Sequence, residues 1–181
     1  MIRFFKKISS IIYTAFIKLI YFRKLSINPI KSHFSGRFFI DGKKSKVIIG
    51  PGFRTKGFAN LNVRNGKVNI GSNVFFNLRV SINCLEEISI GSNCLIGENV
   101  VFYDHDHEFN NKKLIREQGF SCEEIVIGNN VWIGSGTIIL KGTKIEDNSI
   151  IAAGSILKGY VPKNSLFIQK RTKEIHKIMH Y

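Results

Sequence analysis

The dominant pattern of apolar and polar positions in this chain has a period of six. Residues 127 to 162 read IGNNVW, IGSGTI, ILKGTK, IEDNSI, IAAGSI, LKGYVP. An aliphatic residue opens every block (Ile127, Ile133, Ile139, Ile145, Ile151, Leu157), and a small or β-branched residue stands four places later (Val131, Thr137, Thr143, Ser149, Ser155, Val161). The phase returns upstream in IGSNVF and FNLRVS from Ile70 and in IGSNCL and IGENVV from Ile90, while INCLEEIS between them is longer than a block and must bulge or turn. Six matches neither the 3.6-residue period of a helix nor the alternation of a half-buried strand. It suits a chain that wraps short flat segments around a prism, one large aliphatic residue per face pointing inward. Gly, Asn and Asp at the second to fourth places supply the permissive backbone that corners need. The pattern predicts an all-β fold, a parallel β-solenoid.

A second pattern opens the chain. In MIRFFKKISSIIYTAFIKLIYFRK, Arg3, Lys7, Ser10, Thr14 and Lys18 recur at three and four residues on one helical face, and Ile8, Ile11, Ile12, Ala15, Phe16, Leu19 and Phe22 fill the other. Residues 1–31 therefore read as a basic amphipathic helix ended near Pro29, since the residue before proline is pushed out of the helical region. Its apolar face either packs on the protein's own body or lies in a membrane interface, where apolar insertion and attraction to anionic lipid act together. Lys18 interrupts the apolar run and no small-x-small cleavage site follows, which argues against a secretion signal. The run is also shorter than the roughly 20 residues that cross a bilayer. The solenoid is expected over 32–163, with an external loop at 103–124, and a basic tail over 164–181 reads as a short helix.

Charge sharpens this division. Of a formal net +14, most belongs to the two ends: Met1 to Ile40 holds no acid, and the tail sets Lys158, Lys163, Lys170, Arg171, Lys173 and Lys177 against Glu174. Such charge fits nucleic acid, an anionic membrane surface or a phosphorylated ligand. No recognisable nucleic-acid module is interleaved with it, so no nucleic-acid partner is expected. Cys84, Cys94 and Cys122 are odd in number and lack CxxC spacing, which fits a reducing cytoplasm better than a disulfide framework.

The stretch IGNNVWIGSGTIILKGTKIEDNSIIAAGSIL resembles the hexapeptide-repeat acyltransferases. Within them the layout is most similar to the galactoside, maltose and polysaccharide O-acetyltransferases, in which a loop leaves the solenoid after a T/D-H motif and rejoins at IGxNVWIG. Here the chain leaves after Phe102 and rejoins at Ile127. The resemblance implies a left-handed parallel β-helix, a homotrimer, and acetyl transfer from acetyl-CoA to a saccharide hydroxyl without a covalent acyl-enzyme. The acceptor expected is a surface polysaccharide, its precursor or a lipid-linked saccharide, met in the cytoplasm or peripherally at the inner membrane leaflet.

YDHDHEF, residues 103–109, breaks the six-residue rhythm where such chemistry needs a base. An imidazole, with an unperturbed pKa of about 6.5, is mostly neutral at cellular pH and can take a proton from an attacking hydroxyl. By the resemblance His105 is that base. His107 lies two residues on, on the same side of an extended chain, and is expected at the substrate or fixing the loop. Asp104 is expected among the substrate contacts; like Asp106 it faces the other way and reaches an imidazole only if the turn is sharp. A zinc site is disfavoured, because the remaining histidines, His33, His176 and His180, stand near the ends. Asn77 in FFNLRV matches an acceptor-contacting asparagine and equally reads as a corner residue. Trp132 matches a tryptophan beside the active-site cleft and equally reads as a packed side chain. Ser135 and Ala153 match positions along the pantetheine arm. Lys158 and Lys173, with Lys170 and Arg171, are the cations expected near the CoA phosphates. Two alternatives remain open: an N-acetyltransferase on an amino-sugar nucleotide, although no GxGxxG or βαβ pattern is present, and a non-enzymatic membrane-binding solenoid.

Overall fold

The computed structural model describes residues 2–170, with side chains from residue 8 onward. The chain winds as a solenoid of three parallel sheets, each strand pairing with the strand one coil before and one coil after it. The first face holds Leu25–Ser26, Lys46–Ile49, Lys67–Ile70, Glu87–Ile90, Ile125–Ile127, Lys144–Ile145 and Tyr160–Val161. Arg54–Thr55, Phe75–Phe76, Leu95–Ile96, Trp132–Ile133, Ile150–Ile151 and Leu166–Phe167 form the second. The third runs through Gly36–Asp41, Ala59–Arg64, Ser81–Cys84, Val101–Tyr103, Ile138–Leu140 and Ile156–Leu157.

The register explains the period. Ile70, Ile90, Ile127, Ile145 and Val161 stack directly on one another on the first face, as do Phe76, Ile96, Ile133 and Ile151 on the second. All are buried, so each block contributes one rung to a continuous core. The residue four places later turns the corner. At three corners it is a Thr or Ser whose hydroxyl donates to the carbonyl three residues back, Thr137 to Gly134 at 2.8 Å, Thr143 to Leu140 at 2.6 Å and Ser155 to Ala152 at 2.6 Å, while Ser149 donates to the Pro162 carbonyl at 2.9 Å. A small hydroxyl is therefore the side chain that both fits the corner and satisfies a buried acceptor.

Asparagine holds several corners in the left-handed region, at φ of 52° for Asn130 and 59° for both Asn148 and Asn164. Asn tolerates that conformation better than other side-chain-bearing residues. The amides also form a ladder, Asn130 donating to Asn148 at 3.0 Å and Asn148 to Asn164 at 3.1 Å.

The coil extends past both expected boundaries, starting at Leu25 and continuing through Leu166–Phe167. Longer corners in the first two coils, such as DGKKS, break the six-residue phase and hide them from a periodicity reading. INCLEEIS resolves into the end of one strand, a bend at Leu85–Glu86 and the next strand from Glu87. The tail expected as a helix over 164–181 begins instead with the strand Leu166–Phe167, paired to Ile150–Ile151, and its residues 171–181, with Lys173, lie outside the described residues.

Helix α1 (Ile2–Ile20) lies over the first coil. Thr14 is fully buried, and Tyr13, Ile17 and Tyr21 pack on the core. Tyr13 Oη donates to the Gly36 carbonyl at 2.6 Å, Tyr21 Oη to Phe38 at 3.3 Å and Ser10 Oγ to Phe34 at 3.3 Å. The docked side is thus the one bearing Ser10 and Thr14, and of the two readings of the apolar side, packed on the body or turned outward, the stripe Ile8, Ile12, Phe16 and Leu19 takes the second. Among the described residues, no helix is long and apolar enough to cross a membrane.

Asn148 sits mid-ladder, so it tests the corner. Asn148→Ala is expected to cost about 1–2 kcal/mol in urea unfolding because it forces an alanine into the left-handed region. Asn148→Gly, which keeps that conformation and loses only the amide ladder, is expected to cost less.

Candidate active site

The site grows out of strand alternation. On the third face Phe102 points inward and Tyr103 outward, so Asp104 turns inward again and is fully buried. Its carboxylate meets the bend of the coil below. Leu85 N–H donates to both oxygens, at 2.9 and 3.0 Å, and Glu86 N–H donates to Oδ2 at 2.8 Å. A buried carboxylate is tolerable only with such donors, and the two free amides of that bend need an acceptor.

The third partner of Asp104 is the His105 ring, whose Nδ1 lies 2.8 Å from Oδ1. An ionised carboxylate can only accept, so Nδ1 carries the proton and the Nε2 lone pair is the free base. The turn is therefore sharp enough for Asp104 to reach the imidazole. That is a correction to its expected substrate contact: Asp104 has no exposed surface, and the side chain it meets is His105.

From His105 the chain leaves as a hairpin, His105–His107 running antiparallel to Phe120–Cys122. Phe120 of the returning strand stands edge-on to His105 at 5.4 Å between centroids, and Tyr103 does so from the other side at 6.1 Å. His107 is exposed and packs against the same Phe120 at 4.6 Å. Lys141, its side chain largely buried, ties the hairpin to the coil above through Asp106 at 3.1 Å, Ser121 Oγ at 2.9 Å and the Ser121 carbonyl at 3.0 Å. His105 is thus fixed from three sides on a rigid edge.

The remaining expected residues divide between two edges of the prism. His105, His107 and Lys158 lie at the edge between the third and first faces, where Lys158 is exposed two coils beyond His105. Asn77, Ser135 and Ala153 lie at the edge between the second and third faces. Backbone bonds stack this edge coil on coil: Asn77 N–H to Ile96, Gly97 N–H to Ile133, Gly134 N–H to Ile151. The stack is tight, since a Cβ on Gly97 would lie 2.6 Å from the Ser135 nitrogen and one on Gly134 2.5 Å from that of Ala153. Ser135 and Ala153 are exposed, forming a lane of small side chains. Asn77 accepts from Leu78 N–H through Oδ1 at 2.9 Å, which is a corner role. Trp132, 53% exposed on the second face, stacks in register between Leu95 and Ile150 and is not a core side chain. The width of the third face separates the two edges, so one chain does not bring Asn77, Ser135 or Ala153 to its own His105.

A groove continues the second edge toward α1, lined by Ser9, Ser10, Tyr13, Thr55, Lys56 and Phe58. It was not legible in the sequence, because it forms only where three separate segments, 9–13, 33–36 and 55–58, meet. Tyr103, Phe120 and Lys141 also escaped; only the alternation from Phe102 could have pointed to Asp104. Burial raises the thiols of Cys84, Cys94 and Cys122 above their ordinary range, and the Asp104 charge adds to this at Cys84 and Cys122. None is poised as a thiolate nucleophile. Among the described residues, no group of three or more His, Cys, Asp or Glu stands together to hold a metal.

Comparison with known proteins gives two family matches: residues 124–159 to the bacterial transferase hexapeptide (six repeats), and residues 87–102 to the hexapeptide repeat of succinyl-transferase. The chain is 38% identical over 97 residues to the galactoside O-acetyltransferase of Escherichia coli K12, covering 54% of this chain and 47% of that protein. It is 28% identical over 123 residues to WbbJ of the same organism, described as a lipopolysaccharide biosynthesis O-acetyl transferase, covering 64% and 63%. Among solved structures, a galactoside acetyltransferase in complex with coenzyme A superposes with a TM-score of 0.52 at 32% identity, covering 60% of this chain and 53% of that one. This likeness matches the solenoid to the left-handed β-helix fold. The chain spans about half the length of the galactoside enzyme, 47%, and somewhat more of WbbJ, 63%.

The Asp104–His105 pair predicts a tautomer. Nitrogen NMR of neutral His105 is expected to report the Nδ1-protonated form in the wild type. Asp104→Asn, which can present its amide N–H₂ to the ring, is expected to shift His105 toward the other form.

Proposed function

Because the chain belongs to the hexapeptide-repeat acyltransferase family, we propose that it transfers acetyl from acetyl-CoA to a saccharide hydroxyl, with His105 as general base. The observation that carries this reading is the Nδ1 contact with buried Asp104, which leaves Nε2 as a fixed proton acceptor at the edge of the solenoid. The acceptor O–H gives its proton to Nε2 as its oxygen bonds to the thioester carbonyl carbon. When the C–S bond breaks, the imidazolium returns that proton to the departing CoA thiolate. No acyl-enzyme forms, and both substrates must be bound together, so initial rates follow a sequential rather than a ping-pong pattern.

Acetyl-CoA as donor is supported by the coenzyme A complex of the structural neighbour, and a saccharide acceptor by the names of the galactoside and lipopolysaccharide relatives. In this reading Ser135 and Ala153 leave room for the pantetheine arm, and Lys158 and Lys173 serve the CoA phosphates. Asn77 and Trp132 flank the acceptor, and His107 borders it from the loop. The groove with Thr55, Lys56, Phe58 and Tyr13 has the mixture of hydroxyls, a cation and aromatic faces that suits a sugar.

The division of these residues between two edges supports a shared site in which one subunit supplies His105 and the next supplies the lane of small residues. A homotrimer closes such a head-to-tail arrangement. The exposed column of Leu95, Trp132, Ile150 and Leu166 is the apolar surface that such a neighbour would cover.

The primary test is release of free CoA from acetyl-CoA across a panel of saccharides and amino sugars. Acceptor-dependent release that falls about 10²–10⁴-fold in His105→Ala supports the reading. Unchanged release in a folded His105→Ala protein overturns it, and preference for an amino group would make the enzyme an N-acetyltransferase. The shared site has its own test. His105→Ala and Ala153→Trp proteins are each expected to be inactive, while the two refolded together are expected to regain roughly a quarter of wild-type activity, the share of interfaces that pair two intact edges.

A further inference from the structure

The side of α1 turned away from the solenoid carries more exposed apolar surface than any other helix or loop described here. Ile8, Ile12, Phe16 and Leu19, at spacings of four, four and three, form one stripe, every member of it exposed, from 38% at Ile8 to 74% at Leu19. Ile20 and Phe22 widen it at its end, and Ile30, 73% exposed, stands in the segment that follows. The opposite side of the helix is already engaged through Ser10, Tyr13, Thr14 and Ile17, so the stripe is not left over from incomplete docking.

Around the stripe every charge is positive. Lys18 lies on the helix flank and Arg23 and Lys24 follow its last turn, with the Arg23 guanidinium 5.6 Å over the Phe22 ring. Lys31 stands beside Ile30, and the first acid in the chain is Asp41. A second copy brought against this face would set like charge against like. A surface of anionic lipid headgroups would instead neutralise the rim while the stripe enters the acyl boundary. The helix is 19 residues long and does not meet the requirement for crossing a bilayer, so it would lie in the interface plane.

We propose that the outward side of α1, Ile12, Phe16, Leu19 and Phe22 with their basic rim, is a docking surface for an anionic membrane. The solenoid stays folded beneath it. Since Ser9, Ser10 and Tyr13 of the same helix line the groove described above, docking holds that groove close to the lipid plane, within reach of a headgroup-linked saccharide. The docking surface itself does not depend on the acetyl-transfer reading.

The test is flotation of the full chain with vesicles of equal phosphatidylglycerol and phosphatidylcholine, beside vesicles of phosphatidylcholine alone. Binding is expected to the first and to fall about tenfold or more on the second. Phe16→Glu combined with Leu19→Glu is expected to lose about tenfold or more of the anionic binding, with CoA release from a soluble acceptor and the sedimentation size unchanged. Leu19→Trp adds a direct reading, a blue shift of its emission on mixing with anionic vesicles. Three results overturn the proposal: no binding to anionic vesicles, binding undiminished in the double variant, or a double variant that sediments as a smaller species. The last would make the stripe a contact between copies. Failure of acetyl transfer with vesicle binding intact would overturn the enzymatic reading alone.

Discussion

Everything in this molecule depends on coils stacking in register. A residue on any face meets its equivalent one coil above and one below, so the core is a set of columns rather than a layer between two surfaces. Ile70 rests on Ile90, Ile90 on Ile127 and Ile127 on Ile145. Because each coil is supported only by its neighbours, corners must repeat with the same geometry. That requirement explains the left-handed residue that recurs at the corners, asparagine at Asn130, Asn148 and Asn164 and glycine at Gly136, Gly142 and Gly154, and the hydroxyls of Thr137, Thr143 and Ser155 that follow those glycines. A glycine at Gly97 or Gly134 follows from the same constraint, since a side chain there would push two coils apart.

The loop that carries His105 interrupts this stacking, and the interruption is anchored by the stacking itself. Asp104 occupies an inward position of its strand and accepts from the bend of the coil below, so a structural carboxylate and a positioning carboxylate are one group. Lys141 performs the matching task from the coil above, holding Asp106 and Ser121 of the hairpin. The imidazole is thereby oriented by three successive coils, and its placement is as rigid as the core. Rigidity of this kind suits the proposed direct transfer, in which the hydroxyl that gives its proton to the imidazole must at the same time reach the thioester carbon.

The central coils were legible in the sequence because there the period is uninterrupted: from Ile127 to Leu157 each block's first residue is a rung. The first two coils were not, since longer corners erase the phase although Val47, Phe53 and Leu61 are fully buried. Among site residues, His105 could be located from its break in the rhythm. The role of Asp104 could not, because it depends on two amides nineteen and eighteen residues away that only coil stacking brings to it. The sequence left open which side of the helix docks. Its amphipathic pattern marked an apolar face, but Tyr13 and Tyr21 anchor the other side, and a tyrosine's phenol counts as neither polar nor apolar in such a pattern.

Those two tyrosines have a consequence for how the protein behaves in company. The strand Gly36–Asp41 is the outermost of its sheet, and such a row of unpaired carbonyls invites a strand from another molecule. Tyr13 and Tyr21 occupy alternate carbonyls along it, at Gly36 and Phe38. The helix is therefore a stopper as well as a surface: it occupies the carbonyls that an incoming strand would need.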